Sequence, residues 1–465
     1  MAIEAAGTVI EAVAATLAGA GVGKRRRLCC ALSGGADSVV LLDTLDALRG
    51  RFGFALEAAH VHHGLSPAAG EWQAFCAGLC DARGIFLHVF RAEVGRVHPE
   101  GLEAAARLAR HAALAQVACD WLVLGHHRDD QAETVLFRLL RGAGVRGAAA
   151  MTAVEPPDEP GRAGRLRPLL AFGRTAILAR ARARGLAWVE DASNADLDFA
   201  RNDLRHRILP AIEARFPAAR ATLARAASHF RVASGLLDEL AEIDAAACGG
   251  EDGAFEREAL LALSPARLAN LLRRTLRRLG GLPPSAAKLA EAMRQLRAVP
   301  GPLRFPLGAF ACYSYRGRVW LAPAQVAGAQ AFSWQPTAGE IAWAGGVLRC
   351  RSATGEGVRA SALAGAGICR LAPRPAGLPL HLANRPARSF RKLCQEAGIP
   401  VWLRGHLPVL EVDGCMAWAG GLGVADGFAC APEDSGWLLE WLPGISPSMP
   451  SSVAPVPPRS EPSSC

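Results

Sequence analysis

Six consecutive residues, Ser33-Gly34-Gly35-Ala36-Asp37-Ser38, join two glycines, two hydroxyls and a carboxylate directly after a short apolar run, Leu28 to Leu32. Glycines there let the backbone turn tightly and aim its N–H groups at an anion. The serines add donors, and a helix starting at this point would bring its positive dipole end to a phosphate. The plain structural alternative is a Ser-Gly-Gly turn that caps a helix. No Gly-Lys-Ser/Thr ends the segment, so it is not the Walker loop. A second cluster, Gly125-His126-His127-Arg128-Asp129-Asp130-Gln131-Ala132-Glu133-Thr134, is acidic. If a helix starts near Arg128, Asp129 and Glu133 are four apart and Asp130 and Glu133 three apart, on one face. Carboxylates so placed bind magnesium, hold an ammonium group or accept a proton. Acids at a helix start are also favoured by the dipole alone. The third cluster is His60-Val61-His62-His63-Gly64-Leu65-Ser66. Strand alternation puts His60 and His62 on one face and His63 on the other, poor geometry for a three-histidine metal site. A loop walling a nucleotide pocket is expected instead. Gly142-Ala143-Gly144-Val145-Arg146-Gly147 matches the dinucleotide fingerprint but follows a helical run rather than a strand, so it is set aside.

These clusters need elements to hold them. Apolar runs at 28–32, 54–61, 85–90 and 121–124 read as strands. Helical spacing at 39–48, 72–83 and 102–119 separates them. Such alternation predicts a parallel sheet with helices on both faces and ligands at the carboxyl ends of the strands, where all three clusters fall. The Pro/Gly-rich stretch 155–164 is expected as a surface loop, followed by a basic helix over 174–184. From 216 to 297 the pattern is helical, with aromatic and β-branched runs returning over 305–321. The expected division is 1–215 catalytic, 216–350 mainly helical, 351–442 a small α+β unit, and 443–465 a Pro/Ser-rich disordered tail.

Lys and Arg outnumber Asp and Glu by 52 to 43, a formal charge of +9 that suits a polyanionic partner. Lysine occurs only at Lys24, Lys288 and Lys392, a bias that fits a GC-rich genome and makes arginine abundance alone uninformative. The 13 cysteines mostly sit in apolar runs and are odd in number, which predicts buried thiols in a reducing compartment. Cys76 and Cys80 have no second pair at zinc spacing. Neither a signal peptide nor an apolar membrane span is evident, so the expected location is the cytoplasm, away from membranes.

The segment SGGADS resembles the PP-loop of the ATP-pyrophosphatase superfamily. SGGADS, HVHHGLS and GHHRDDQAETVLFRLLRG in that order resemble the tRNA(Ile)-lysidine synthetase family more closely than other PP-loop enzymes. Further matches are GLEAAARLAR (101–110), RPLL (167–170), WVEDASN (188–194) and FARNDLRHRILP (199–210), with His111 standing where the family often has Tyr. Residues 388–421 resemble the family's small C-terminal domain, with a helix stop at Gly398 and Pro400. The resemblance is dense over 25–215, thin over 216–350 and recognisable again to about 430. It implies an α/β, parallel-sheet PP-loop domain (adenine nucleotide α-hydrolase-like), then a mainly helical domain and a small α+β C-terminal domain.

The implied reaction uses ATP and magnesium to adenylate the wobble cytidine of the CAU anticodon of tRNA(Ile), then joins L-lysine to its C2, giving lysidine. Under that resemblance Ser33, Gly34, Gly35, Ala36, Asp37 and Ser38 cradle ATP, and Asp37 is tied to metal and phosphate. Asp130 and Glu133, with Asp129 less centrally, hold lysine and aid loss of its proton. Arg107, Arg201 and Arg205 face the cytidine and its phosphates. Arg273, Arg274, Arg277 and Arg278, and in the far unit Arg385, Arg388, Arg391 and Lys392, either track tRNA or are solvated faces. Homodimer formation is left open. A tRNA thiolase would use paired cysteines, and no Cys-x-x-Cys occurs. A non-catalytic tRNA-binding protein would need neither the phosphate loop nor the acidic helix start. An amidotransferase would need a glutaminase region.

Overall fold

The run at 28–32 becomes the central strand β1 (Arg27–Ala31), preceded by α1 (Ala2–Gly19). Alternation then continues through α2 (Ala36–Phe52), β2 (Ala55–His62), α3 (Ala69–Asp81), β3 (Phe86–Arg91), α4 (Leu102–Leu114), β4 (Trp121–Val123) and α5 (Arg128–Leu140). After α6 (Val145–Ala148) come β5 (Val154–Glu155), β6 (Gly164–Leu166) and α7 (Arg174–Ala183). A helical run closes this part: α8 (Ala200–Asp203), a π-helical turn (Leu204–Ile208), α9 (Leu209–Arg215) and α10 (Ala219–Ala247). This computed structural model describes residues 2–62, 67–92, 102–157, 161–190, 200–250, 253–325, 328–373, 380–382 and 388–443. His63 to Ser66, most of the WVEDASN segment, Arg385 and the tail beyond 443 lie outside the described residues.

The sheet order is β3-β2-β1-β4-β6-β5, parallel except for the antiparallel edge strand β5. Strand order reverses about β1, which lies between β2 and β4. The crevice for a ligand therefore opens where β1 and β4 end. Period-two alternation sorts β1 between two cores. Leu28, Cys30 and Leu32 pack with Val13, Leu41 and Ile177, while Cys29 joins Leu114 and Leu122 on the other face. The Pro/Gly-rich stretch connects β5 to β6, with Glu155 and Gly164 themselves in strands.

The chain divides into two compact units, Met1–Leu236 and Leu237–Cys465. In the second, β7 (Ala254–Glu256), α11 (Arg257–Ala262), α12 (Pro265–Arg278) and α13 (Ala286–Ala298) precede β8 (Leu303–Leu307), β9 (Phe310–Tyr315) and β10 (Arg318–Pro323). The aromatic runs thus form an antiparallel sheet, order β7-β10-β9-β8. Further on come five-stranded and four-stranded antiparallel sheets and the helix Phe390–Glu396, whose Phe390, Leu393 and Cys394 join their shared core. That helix is capped by Ser389 and stops at Gly398, whose φ is +74°. On α12, Leu268, Leu271, Leu272 and Leu276 are buried, while Arg274 and Arg277 pair with Glu242 and Asp238 at 2.6 Å. Those two arginines of the predicted stripe are therefore engaged within the protein.

Candidate active site

At the end of β1 the chain turns through Gly34, whose φ is +89°. A Cβ there would stand 2.8 Å from Val189 Cγ2, so both backbone conformation and space require glycine. Ser38 Oγ donates to Gly35 O (2.9 Å) and accepts from Ser33 N (3.2 Å), closing the loop on itself. No side chain caps Gly35 at the start of α2, so the helix presents its first-turn N–H groups at the crevice. His60 is buried, and its Nδ1 pairs with Leu32 O at 2.9 Å, tying β2 to the residue that follows β1. Burial pushes its imidazole below the ordinary range. Cys76 and Cys80 are buried on α3, and burial raises their thiols to about 12 and about 11.

The turn from β4 into α5 lies directly on α2. A Cβ on Gly125 would meet Asp37 C and O and Ser38 N at 3.3 Å. The helix starts at Arg128 as its spacing predicts, with a reciprocal cap. His127 Nδ1 accepts from Asp129 N (3.2 Å) and Asp130 N (3.4 Å), and Asp130 Oδ2 accepts from His127 N (2.9 Å). His127 Nε2 then faces Asp130 Oδ2 at 3.4 Å and Asp37 Oδ2 at 3.7 Å.

Glu133, one turn on and buried, receives Arg205 in a two-pronged pair: Nε to Oε1 at 2.6 Å and Nη2 to Oε2 at 2.8 Å. Arg205 Nη2 also donates to Asp130 Oδ1 at 3.2 Å. Arg205 reaches them from the π-helical turn. The extra residue of such a turn reorients side chains and recurs at functional sites. Burial pushes Asp130 up, but His127, His126, the His127 amide and Arg205 together hold its carboxyl below the usual range. For Asp37 burial wins: its carboxyl is raised, reinforced by Asp130 and opposed by His127, Arg174 and Arg205. Asp37 Oδ1 is buried without a hydrogen-bond partner among the described residues.

The predicted residues therefore fall into three groups. Ser33 to Ser38, Asp130, Glu133 and Arg205 converge. Asp129 turns toward α7, where its Oδ2 accepts from Arg174 N at 3.2 Å. Arg107 on α4 bears electrostatically on His111 and His126, and Arg201 stacks over the Phe137 ring at 5.6 Å. Sequence reasoning passed over His127; the signal was its place three residues before Asp130, the spacing of a capping box. It also passed over Arg174, which only the fold brings to Asp37. A cavity of about 510 Å³ opens beside this cluster, lined by His127, Asp129, Glu133, Arg174, Arg205 and Arg220 among others.

Comparison with known proteins agrees with this geometry. Residues 8–212 match the PP-loop domain family, 255–320 the TilS substrate binding domain and 369–441 the TilS substrate C-terminal domain. A tRNA(Ile)-lysidine synthase from Aromatoleum aromaticum is 55% identical over 428 residues, 91% of this chain and 99% of that one. The one from an Azoarcus species is 52% identical over 444 residues, 95% and 97% of the two chains. A solved U34-tRNA thiolase from Methanococcus maripaludis superposes only loosely, with a TM-score of 0.41 at 20% identity over 48% of this chain and 78% of that one. No helix among the described residues is long and apolar enough to cross a membrane. With a PP-loop crevice and relatives alike over almost the whole chain, this enzyme belongs to the tRNA(Ile)-lysidine synthase family.

Proposed function

We propose that the enzyme joins L-lysine to C2 of the wobble cytidine of CAU-anticodon tRNA(Ile), changing its reading from AUG to AUA. The C2 oxygen attacks the α-phosphorus of ATP and pyrophosphate leaves. The ε-amine of lysine, having lost a proton, then displaces AMP at C2. One observation carries the reading: the uncapped start of α2, with Asp37, meets the Asp130–Glu133–Arg205 cluster across a single turn. The first is suited to a triphosphate, the second to an ammonium group. Asp130 and Glu133 hold lysine, with Asp129 at the edge of the cavity, and Arg205, expected from the sequence at the cytidine, pairs with both acids and orients them instead. Arg107 and Arg201 meet the cytidine and its phosphates. The middle and C-terminal regions bind tRNA.

Magnesium fits the residues present. Asp37 Oδ1, without a hydrogen-bond partner among the described residues, would offer one hard oxygen ligand. Such a site suits an ion shared with substrate phosphates, which would supply charge neutralisation for the leaving pyrophosphate. The test is incorporation of radiolabelled lysine into purified CAU-anticodon tRNA(Ile) with ATP and magnesium, against a wobble C→U transcript. Labelling confined to the wild-type tRNA is expected; no labelling by folded protein would overturn the reading.

A further inference from the structure

We infer that His127 is a positioning residue that couples the two halves of the active site. The inference deepens the proposed function and rests on it.

The ring has two separable tasks. Nδ1 accepts the backbone N–H groups of Asp129 and Asp130, at 3.2 and 3.4 Å, and so caps α5. With Nδ1 an acceptor, the proton of the neutral ring is on Nε2. Capping does not use that N–H, which points between Asp130 Oδ2 at 3.4 Å and Asp37 Oδ2 at 3.7 Å. These separations are long for hydrogen bonds, as catalytic contacts often are before substrate binds. The ring is only 4% exposed, while the Asp37 and Asp130 side chains that it faces keep 29% and 21% of their surface open.

The surroundings support the two carboxylates unequally, and Asp37 is the one that depends on this N–H. Asp130 is held on its other oxygen by Arg205 at 3.2 Å, and its Oδ2 by the His127 amide at 2.9 Å. Asp37 has no such support among the described residues: Oδ1 is unpartnered there, and Oδ2 faces His127. Because Gly125 packs on the backbone of Asp37 and Ser38, the His127 Cα is fixed relative to α2. The imidazole therefore sets the distance between the carboxylate at the phosphate loop and those assigned to lysine. A residue that only capped α5 would need no ring reaching across to α2.

Asparagine separates the tasks, since its side-chain oxygen caps a helix well but it lacks the Nε2–H. Three variants, His127→Asn, Asp37→Asn and Glu133→Gln, are compared with the wild type. Two readings are taken on CAU-anticodon tRNA(Ile) transcript: tRNA-dependent ATP–pyrophosphate exchange, and the KM for lysine in lysidine formation. His127→Asn is expected to keep its melting temperature, lower exchange about 10–100-fold and raise the KM for lysine about tenfold. Asp37→Asn should strike exchange first, and Glu133→Gln the KM for lysine. Wild-type values of both readings in folded His127→Asn would overturn the coupling role and leave a helix cap. If His127→Asn does not fold, His127→Ser, another strong cap, is read by the same criteria. Absence of tRNA-dependent exchange in the wild-type enzyme would instead refute the underlying function.

Discussion

Asp37 is an unfavourable residue for the protein without its substrates. Burial raises its carboxyl, and Asp130 adds to the effect, so the folded state disfavours the ionised form. For an acid raised on folding, the cost is absent where the unfolded carboxyl is still protonated. It grows as pH rises through about 4, and is complete above the folded pKa. Asp37→Asn should therefore raise the melting temperature at pH 7 by a few degrees, on the order of 1 kcal/mol, as replacing a strained functional polar group commonly does. The gain should vanish below about pH 4, and tRNA-dependent ATP–pyrophosphate exchange should be lost. Thermal melts across pH decide it: a lower melting temperature at pH 7 would mean Asp37 is a structural partner rather than a group held ready for cation and phosphate. Glu133 shows the contrary design. It shares the two-pronged Arg205 pair with a contact from the same guanidinium to Asp130, so removing it would leave Arg205 only its Asp130 partner.

At the scale of elements, what could be read from sequence was what local pattern encodes. The β1 turn, the start of α5 at Arg128 and the alternation of strand and helix follow from period, glycine placement and acid placement. The partners that only tertiary packing brings together were not legible in that way. Arg205 meets Glu133 across 72 residues through a π-helical turn that no periodicity announces, and Arg174, at the start of a helix expected from the sequence, meets Asp129 across 45. The α4 helix shows the same limit. His111 stands where the family often has Tyr, and burial first, then Arg110, Arg107, Arg165 and Arg167, lower its imidazole to about 4. A base depressed on folding costs nothing above its unfolded pKa of about 6.5, where both states are neutral. Below that the unfolded chain takes a proton that the folded protein refuses until about pH 4, so stability falls across this window. His111→Tyr should flatten the decline, by on the order of 1–3 kcal/mol at pH 4–5, while leaving stability at pH 8 nearly unchanged. Equal pH slopes for the two proteins in denaturant titrations would show that His111 titrates freely.

For the whole molecule, the question is which of its positive charges work on RNA. The excess of +9 says only that the surface suits a polyanion. Neighbourhood separates the candidates better than abundance does. Arg274 and Arg277 on α12 are matched to Glu242 and Asp238, so alanine there should mainly loosen the packing of α12 on α10. Arg388, Arg391 and Lys392 are exposed about the first turn of the helix Phe390–Glu396, whose buried face is Phe390, Leu393 and Cys394. The fold uses that apolar face and leaves the cations to solvent, so truncating them should not disturb the core. If they meet tRNA phosphates, each contact releases about 0.7–0.9 of a counterion per charge. The triple variant Arg388→Ala, Arg391→Ala, Lys392→Ala should then weaken tRNA binding and reduce the slope of log Kd against log salt by about 2–3. Arg277→Ala should leave that slope unchanged while lowering the melting temperature. Filter-binding titrations from about 50 to 200 mM salt distinguish these outcomes, because the slope counts phosphate contacts independently of overall affinity. An unchanged slope in the triple variant would return this surface to ordinary solvated charge and place the RNA-binding cations elsewhere in the chain.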